Sequence, residues 1–167
     1  DWDSFILLPT ELITNSTYDS NITGWTTSNS GTGAGTHSTD SLSLAAGSGT
    51  AAVYQELSLT RGRQYMVTFA MKNSSTSGTA LSPSLNVSIG TSALATDVNT
   101  GTYTSAGGSN DEGDLSYHNF TFEASATSHF ITIKNATASS TVLVDNVSVR
   151  ENIHPKSLKY LNEDEWR

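Results

Sequence analysis

Apolar residues in this chain recur at every second position, and helical spacing is almost absent before the last fifteen residues. That feature constrains the fold most, because a period of two suits a strand with one buried face and a period near 3.6 suits a helix. In "AAVYQELSL" Val53, Gln55, Leu57 and Leu59 share a face, and in "RQYMVTFAMK" Tyr65, Val67, Phe69 and Met71 do the same. "PSLNVSIG" offers Leu85, Val87 and Ile89, "HNFTFEA" offers Phe120 and Phe122, and "HFITIKN" offers Ile131 and Ile133. With "TVLVDNVSV" at 141–149 these make six strands, and "SFILL", "ELIT", "GWTT" and "DSLSL" are further candidates. Segments 28–39, 73–83 and 99–116 are rich in small polar residues and read as long loops, where binding functions commonly sit. Strands spaced about ten residues apart with no helices between them predict an all-β fold, an antiparallel β-sandwich jelly roll.

Two polar residues interrupt the apolar faces. At period two Leu143, Val147 and Val149 share a face with Asp145. A carboxylate there costs several kcal/mol unless compensated. Three explanations stand open: the register is misread, a partner charge neutralises Asp145, or it lies at the sheet margin and accepts hydrogen bonds from backbone amides. Gln55 is expected to bond a neighbouring loop, since buried amides are nearly always satisfied.

A chain of 167 residues suffices for one domain with a proper core. It has no cysteine, so no disulfide or thiolate site supports it. About three residues in ten are Ser or Thr, a composition that suits a β-rich surface protein. The net charge of −8 argues against partners with phosphate backbones or anionic membranes. Divalent cations and neutral ligands such as sugars remain compatible with it. No apolar run approaches the eighteen or so residues a membrane helix needs. The first residue is Asp rather than Met, which leads us to expect a processed product or an excised segment.

"ELITNSTYDSNITGW", then "VYQELSLTRGRQYMVTFAMKN", then "VLVDNVSV" follow the order and spacing of the carbohydrate-binding modules grouped as families 4, 9 and 22. Those modules typically read N-G-x-F-E…GW, Q-x-L-x-L-x-x-G-x-x-Y-x-V-x-F and D-N-V-x-V. The resemblance covers about residues 11–150, so the chain divides into an N-terminal arm at 1–10, the jelly roll at 11–150 and a C-terminal arm at 151–167. The spelling "NSTYDSNITGWT" also resembles tail, fibre and capsid-surface proteins of bacteriophages. Ser16 stands where the family has glycine, and Asp19 where it has glutamate.

The resemblance implies a structural calcium ion that ties the first strand to the last. Its ligands would be the side chains of Asp19 and Asp145, with backbone carbonyls near Thr17 and from the turn around Asp40 and Ser41. Six to eight oxygens are needed, and carbonyls and water can complete a set that starts from two carboxylates. The resemblance also makes Trp25 part of the core.

Aromatics flanking loops are the candidate sugar contacts: Tyr103, Tyr117 with His118, and the outward-pointing Tyr54. "SNDEGDL" at 109–115 breaks the D-x-[DN]-x-[DN]-G calcium-loop spacing and reads as a solvated acidic loop. Seven N-x-[ST] sequons occur, and the Asn, Ser and Thr content accounts for them. The four histidines show no H-E-x-x-H pairing and there is no G-x-S-x-G, so no catalytic activity is expected. Trp2, Phe5 and Leu7 in the first arm and Leu161 and Trp166 in the second form apolar ends, the second on a short helix after Pro155. They are expected to dock onto other virion proteins or sibling subunits, giving a homo-oligomer. The reading that unites these features is a non-catalytic bacteriophage virion surface or structural protein (capsid decoration, head fibre or tail fibre) that binds glycans weakly. The alternative is a carbohydrate-binding module of a secreted glycoside hydrolase, and a third class is a capsid-stabilising protein that has lost sugar binding. All three place the chain on a virion surface or outside the cell.

Overall fold

Ten strands are seen in the computed structural model, which describes residues 9–74, 83–105 and 115–153. In chain order they are β1 (Thr26–Thr27), β2 (Ala34–His37), β3 (Leu42–Ala45), β4 (Ala51–Ser58), β5 (Gln64–Asn73), β6 (Ser84–Gly90), β7 (Asn99–Thr104), β8 (Ser116–Glu123), β9 (Ser128–Asn135) and β10 (Thr141–Glu151). Two five-stranded sheets result: a first sheet ordered β1-β4-β9-β6-β7 and a second ordered β2-β3-β10-β5-β8. Every pairing is antiparallel, which gives the jelly-roll sandwich. The alternation explains the layering. Val53, Leu57, Leu85, Val87, Ile89, Ile131 and Ile133 from the first sheet bury against Leu42, Leu44, Tyr65, Val67, Phe69 and Met71 from the second. Each such side chain contributes about 1.5–3 kcal/mol of burial.

Two strands lie where the sequence reads as loop. β2 falls inside 28–39 and β7 inside 99–116. Both are sheet neighbours of only one strand, and their residues are mostly small and polar, so their pairing is templated by β3 and β6 rather than by an apolar face. "ELIT" forms no strand, although the Leu12 amide donates to the Val149 carbonyl at 3.0 Å. "SFILL" and the helix expected after Pro155 lie outside the described residues.

The last strand answers the Asp145 question in part by its register. Val142 and Val144 are buried, and so are Val147 and Val149, an odd spacing that a regular strand cannot produce. The pairing of β10 with β5 shifts between Asp145 and Ser148, and Asn146 has φ of 52°. A β-bulge adds one residue and flips parity, and Asn tolerates the left-handed conformation better than most residues. Leu143 and Asp145 therefore belong to the outer face and Val147 and Val149 to the core, which corrects the single-face reading.

Two other polar groups position the N-terminal segment. Gln55 behaves as expected of a buried amide: its Oε1 accepts from the Thr14 amide at 2.7 Å, and its Nε2 donates to the carbonyls of Thr14 at 3.1 Å and Gly24 at 3.0 Å. Gly24 has φ of 92°, and a Cβ there would lie 2.9 Å from the Thr14 methyl, so glycine must precede Trp25. Glu11 does the larger share. Its Oε1 accepts from the amides of Leu12, Ile13 and Val149, and its Oε2 from the Ser148 hydroxyl and Arg150 Nε. One carboxylate thus joins the N-terminal segment to β10.

Candidate functional site

A groove of about 230 Å³ crosses the outer face of the first sheet. Its floor comes from strand register. Ser88 on β6 lies opposite Thr132 on β9, and Thr132 lies opposite Tyr54 on β4. Asn86 and Lys134 form the next rung. Ser88 and Thr132 are 0% and 3% exposed, and neither hydroxyl has a protein hydrogen-bond partner. Leaving such a group unpaired costs about 1–3 kcal/mol, a cost that a ligand hydroxyl can remove.

The walls are set by short-range bonds. Asn86 Nδ2 donates to Thr100 Oγ1 at 3.0 Å and to the Gly101 carbonyl at 3.1 Å, which fixes its amide at the groove edge. Leu94, at φ of 65°, stands on the β6–β7 turn. Asp97 ties that turn, accepting the Thr91 amide at 2.9 Å and the Thr91 hydroxyl at 2.6 Å, and those two donors hold its carboxyl below the usual range. Asn29 and Ser30 close the opposite side. Tyr54 makes an edge contact with Phe130, ring centroids 6.2 Å apart. The floor therefore offers hydroxyls, an amide and an ammonium, with an aromatic pair on the same face.

The other aromatic candidates lie elsewhere. Tyr103 on β7 faces inward against Phe69 and His118, with ring centroids 5.0 and 5.1 Å away, and it also stacks on Phe120. These rings close the side of the sandwich where β7 and β8 end the two sheets. Burial pushes the Tyr103 phenol up. Tyr117 stands on the outer face of the second sheet, 74% exposed. The four aromatics expected to contact sugar thus occupy three surroundings rather than one cleft, because Tyr117 and His118 are adjacent on one strand and must point to opposite faces. Trp25 is core as expected, its ring 5.8 Å from that of Tyr18.

Of the carboxylates implied as metal ligands, Asp145 feels the charge of Asp19. Asp145 is half-buried, and its carboxyl is pushed up by burial and by the charges of Asp19 and Asp40, while the Asn146 amide pulls it down. Tyr18 lies beneath, wholly buried, its hydroxyl without a partner and its phenol raised far by burial and by the Asp145 charge. The charges of Asp19 and Asp40 both oppose ionisation of Asp145, and the Tyr18 oxygen has no partner. Among the described residues no three His, Asp or Glu side chains stand close enough to form a ready cage. The Thr17 side chain is exposed, and the Ser41 hydroxyl donates to the Thr39 carbonyl at 3.5 Å. Thr39 and Asp40 both hold positive φ, 38° and 56°, so the turn beside Asp145 is tightly bent. The arm residues Trp2, Phe5, Leu7, Leu161 and Trp166, and the acidic loop residues 109–114, lie outside the described residues.

Sequence reasoning missed Ser88, Thr132, Lys134 and Glu11. Hydroxyls on the outer side of alternating strands look like ordinary solvated positions, and only the pairing of β6 with β9 brings them together. No protein-family model matches the chain, and no curated sequence is significantly similar to it. Its fold is shared with solved structures at low identity. A family 4 carbohydrate-binding module is similar with a TM-score of 0.61 and 18% identity, over 84% of this chain and 99% of that one. An arabinose-bound α-L-arabinofuranosidase is similar with a TM-score of 0.65 and 13% identity, over 88% of this chain and 27% of the enzyme. The enzymatically active domain of tailspike protein 4 of bacteriophage CBA120 is similar with a TM-score of 0.60 and 14% identity, over 84% of this chain and 21% of that one. The fold is that of a carbohydrate-binding-module-like jelly roll.

Proposed function

We propose that the chain is a non-catalytic module that binds a neutral glycan in the groove across the first sheet. The observation that carries this reading is the pair of buried, unpartnered hydroxyls, Ser88 and Thr132, on the groove floor. A sugar supplies both donors and acceptors at the spacing of adjacent hydroxyls, and apolar C–H faces for the Tyr54–Phe130 pair. Glycoside hydrolysis would need two flanking carboxylates, and none lines the groove. Titration with neutral oligosaccharides while following the backbone amides of Asn86, Ser88, Thr132 and Lys134 tests the reading. Shifts at those positions that vanish in Thr132→Val support it, and a groove silent to every neutral oligosaccharide overturns it.

The setting we propose is a bacteriophage virion surface, as capsid decoration, head fibre or tail fibre. The likeness to a tailspike domain supports it. Pro9 and Ile153 border the same hollow, so both ends of the described chain leave from one side of the sandwich and both arms can dock on one partner or on a sibling subunit. Solution mass of the full chain against a 11–150 truncation checks this, since a truncation that keeps its assembly state removes the docking role. The alternative setting, a module of a secreted glycoside hydrolase, draws on the likeness to the arabinofuranosidase.

Calcium completes the proposal. The side chains of Asp19 and Asp145 would hold the ion with backbone carbonyls near Thr17 and from the turn around Asp40 and Ser41. It would offset the charges of Asp19 and Asp40 that act on Asp145 and strengthen the link between the N-terminal segment and β10.

A further inference from the structure

The outer face of the second sheet carries a feature that the groove does not explain. Along β8, His118, Phe120 and Phe122 turn inward, which leaves Tyr117 and Asn119 on the outside. Tyr117 is 74% exposed, the most exposed of the described large apolar side chains. It is not adrift on a flat surface. Tyr117 lies opposite Ala70, and Ala70 lies opposite Asp145, so the middle of that rung is a single methyl group. The next rung places Asn119 opposite Thr68 and Thr68 opposite Ser148. Between the two rungs the bulge of β10 lifts Asn146 out of register. A hollow of about 470 Å³ opens among the tyrosine ring, the Thr68–Asn119 rung and the raised Asn146. That lies within the range of about 300–1,000 Å³ found for small-ligand sites.

The lining fits one chemistry. Asp145 grips Asn146 twice, accepting its backbone amide at 2.7 Å and its side-chain amide at 2.9 Å. This fixes the Asn146 side chain and leaves its carbonyl oxygen without a protein donor. The Asn119 amide and the Thr68 hydroxyl belong to the same lining. An aromatic ring beside two amides and a hydroxyl matches a pyranose, whose C–H face packs on the ring while its rim of hydroxyls meets amide donors and acceptors. No Lys or Arg lines the hollow, and the chain carries a net charge of −8, which disfavours uronic or sulfated sugars.

We propose that the outer face of the second sheet is a second saccharide site, in which the Tyr117 ring stacks on a neutral pyranose and Asn119, Asn146 and Thr68 bind its hydroxyls. It stands on its own observations and goes beyond the groove on the first sheet. Two sites on opposite faces would make the module bivalent, so a polymer presenting many repeats gains avidity that neither site has alone.

The experiment is an amide NMR titration of the full chain with cello-, xylo-, manno- and galacto-tetraose, each to about 10 mM, where a Kd of 1 mM is largely saturated. At least one tetraose is expected to shift the side-chain amides of Asn119 and Asn146 and the backbone of 117–119. Tyr117→Ala should weaken that response at least tenfold. Tyr117→Phe should preserve it, because the ring rather than the hydroxyl does the stacking. Thr132→Val should leave it intact, which separates failure of this site from failure of the groove. Three outcomes overturn the proposal: no tetraose moves these signals, Tyr117→Ala binds as the parent does, or the signals move with protein concentration in the absence of sugar. The last would make this face a contact between copies of the chain.

Discussion

Glu11 and Asp145 are both carboxylates at the junction of the N-terminal segment with β10, and their surroundings drive them in opposite directions. Burial raises the Glu11 carboxyl, but the Ser148 hydroxyl, the Ile13 and Val149 amides and Arg150 together outweigh that and hold it below its ordinary value of 4.5. Asp145 accepts only from its neighbour Asn146, through the backbone and side-chain amides, and burial with the charges of Asp19 and Asp40 outweighs them, so it sits above its ordinary value of 3.8. The first carboxylate is complete as folded. The second carries a net penalty as folded, which the calcium proposed above would remove. Counting donors against like charges, rather than noting burial, separates an acid stabilised by the fold from one the fold penalises.

Breaking the complete site should cost most. Glu11→Ala leaves the Val149, Leu12 and Ile13 amides and the Arg150 guanidinium without their acceptor, and we expect a loss of about 3 kcal/mol in urea unfolding. A loss below 1 kcal/mol would show that water replaces the carboxylate without penalty. Calcium should act on the other site alone. At a hundredfold excess over Kd it should add about 2.7 kcal/mol, read as a higher Tm than in chelator. Asp145→Asn should abolish the difference and Glu11→Gln should keep it. A parent chain that melts identically with calcium and with chelator removes the ion from the account.

The pH profile sharpens the contrast. The folded Glu11 value is depressed, so its contribution is whole above the unfolded value of 4.5 and is lost as pH falls through the lower folded one. The folded Asp145 value is raised, so its penalty is full above that value and gone below 3.8. In chelator the two trends oppose each other as the solution is acidified, and stability should change by less than about 1 kcal/mol near pH 4–5 before it falls. In calcium Asp145 joins Glu11, and stability should fall steadily over the same range. Identical Tm profiles in the two buffers would break the assignment. The smallest effect belongs to Arg150→Ala, about 0.5 kcal/mol, since its ion pair with Glu11 is half-exposed.

The strands with a clear apolar face were legible because burial repeats at every second residue: Val53 to Leu59, Tyr65 to Met71 and Leu85 to Ile89 all point inward as their spacing predicts. β2 and β7 were not, because their side chains carry little information and their order comes from backbone bonds to a neighbour. Leu143 was misplaced because a one-residue bulge leaves no mark in composition. The Asn at 146 is compatible with one but occurs elsewhere without it. Gln55 was readable as a buried amide in need of a loop, whereas Glu11, at the head of "ELIT", looked like an ordinary polar start to a strand.

The sequence alone determined the sandwich, since period-two burial without cysteine and without helices between the strands has few other solutions, and it singled out Asp145 as a residue in need of explanation. Tertiary structure decided which hydroxyls meet. Ser88 and Thr132 are 44 residues apart, and Tyr117, Thr68 and Asn146 come from three strands. Such meetings depend on register and on the sheet order β10-β5-β8, long-range quantities that no local pattern of residues encodes.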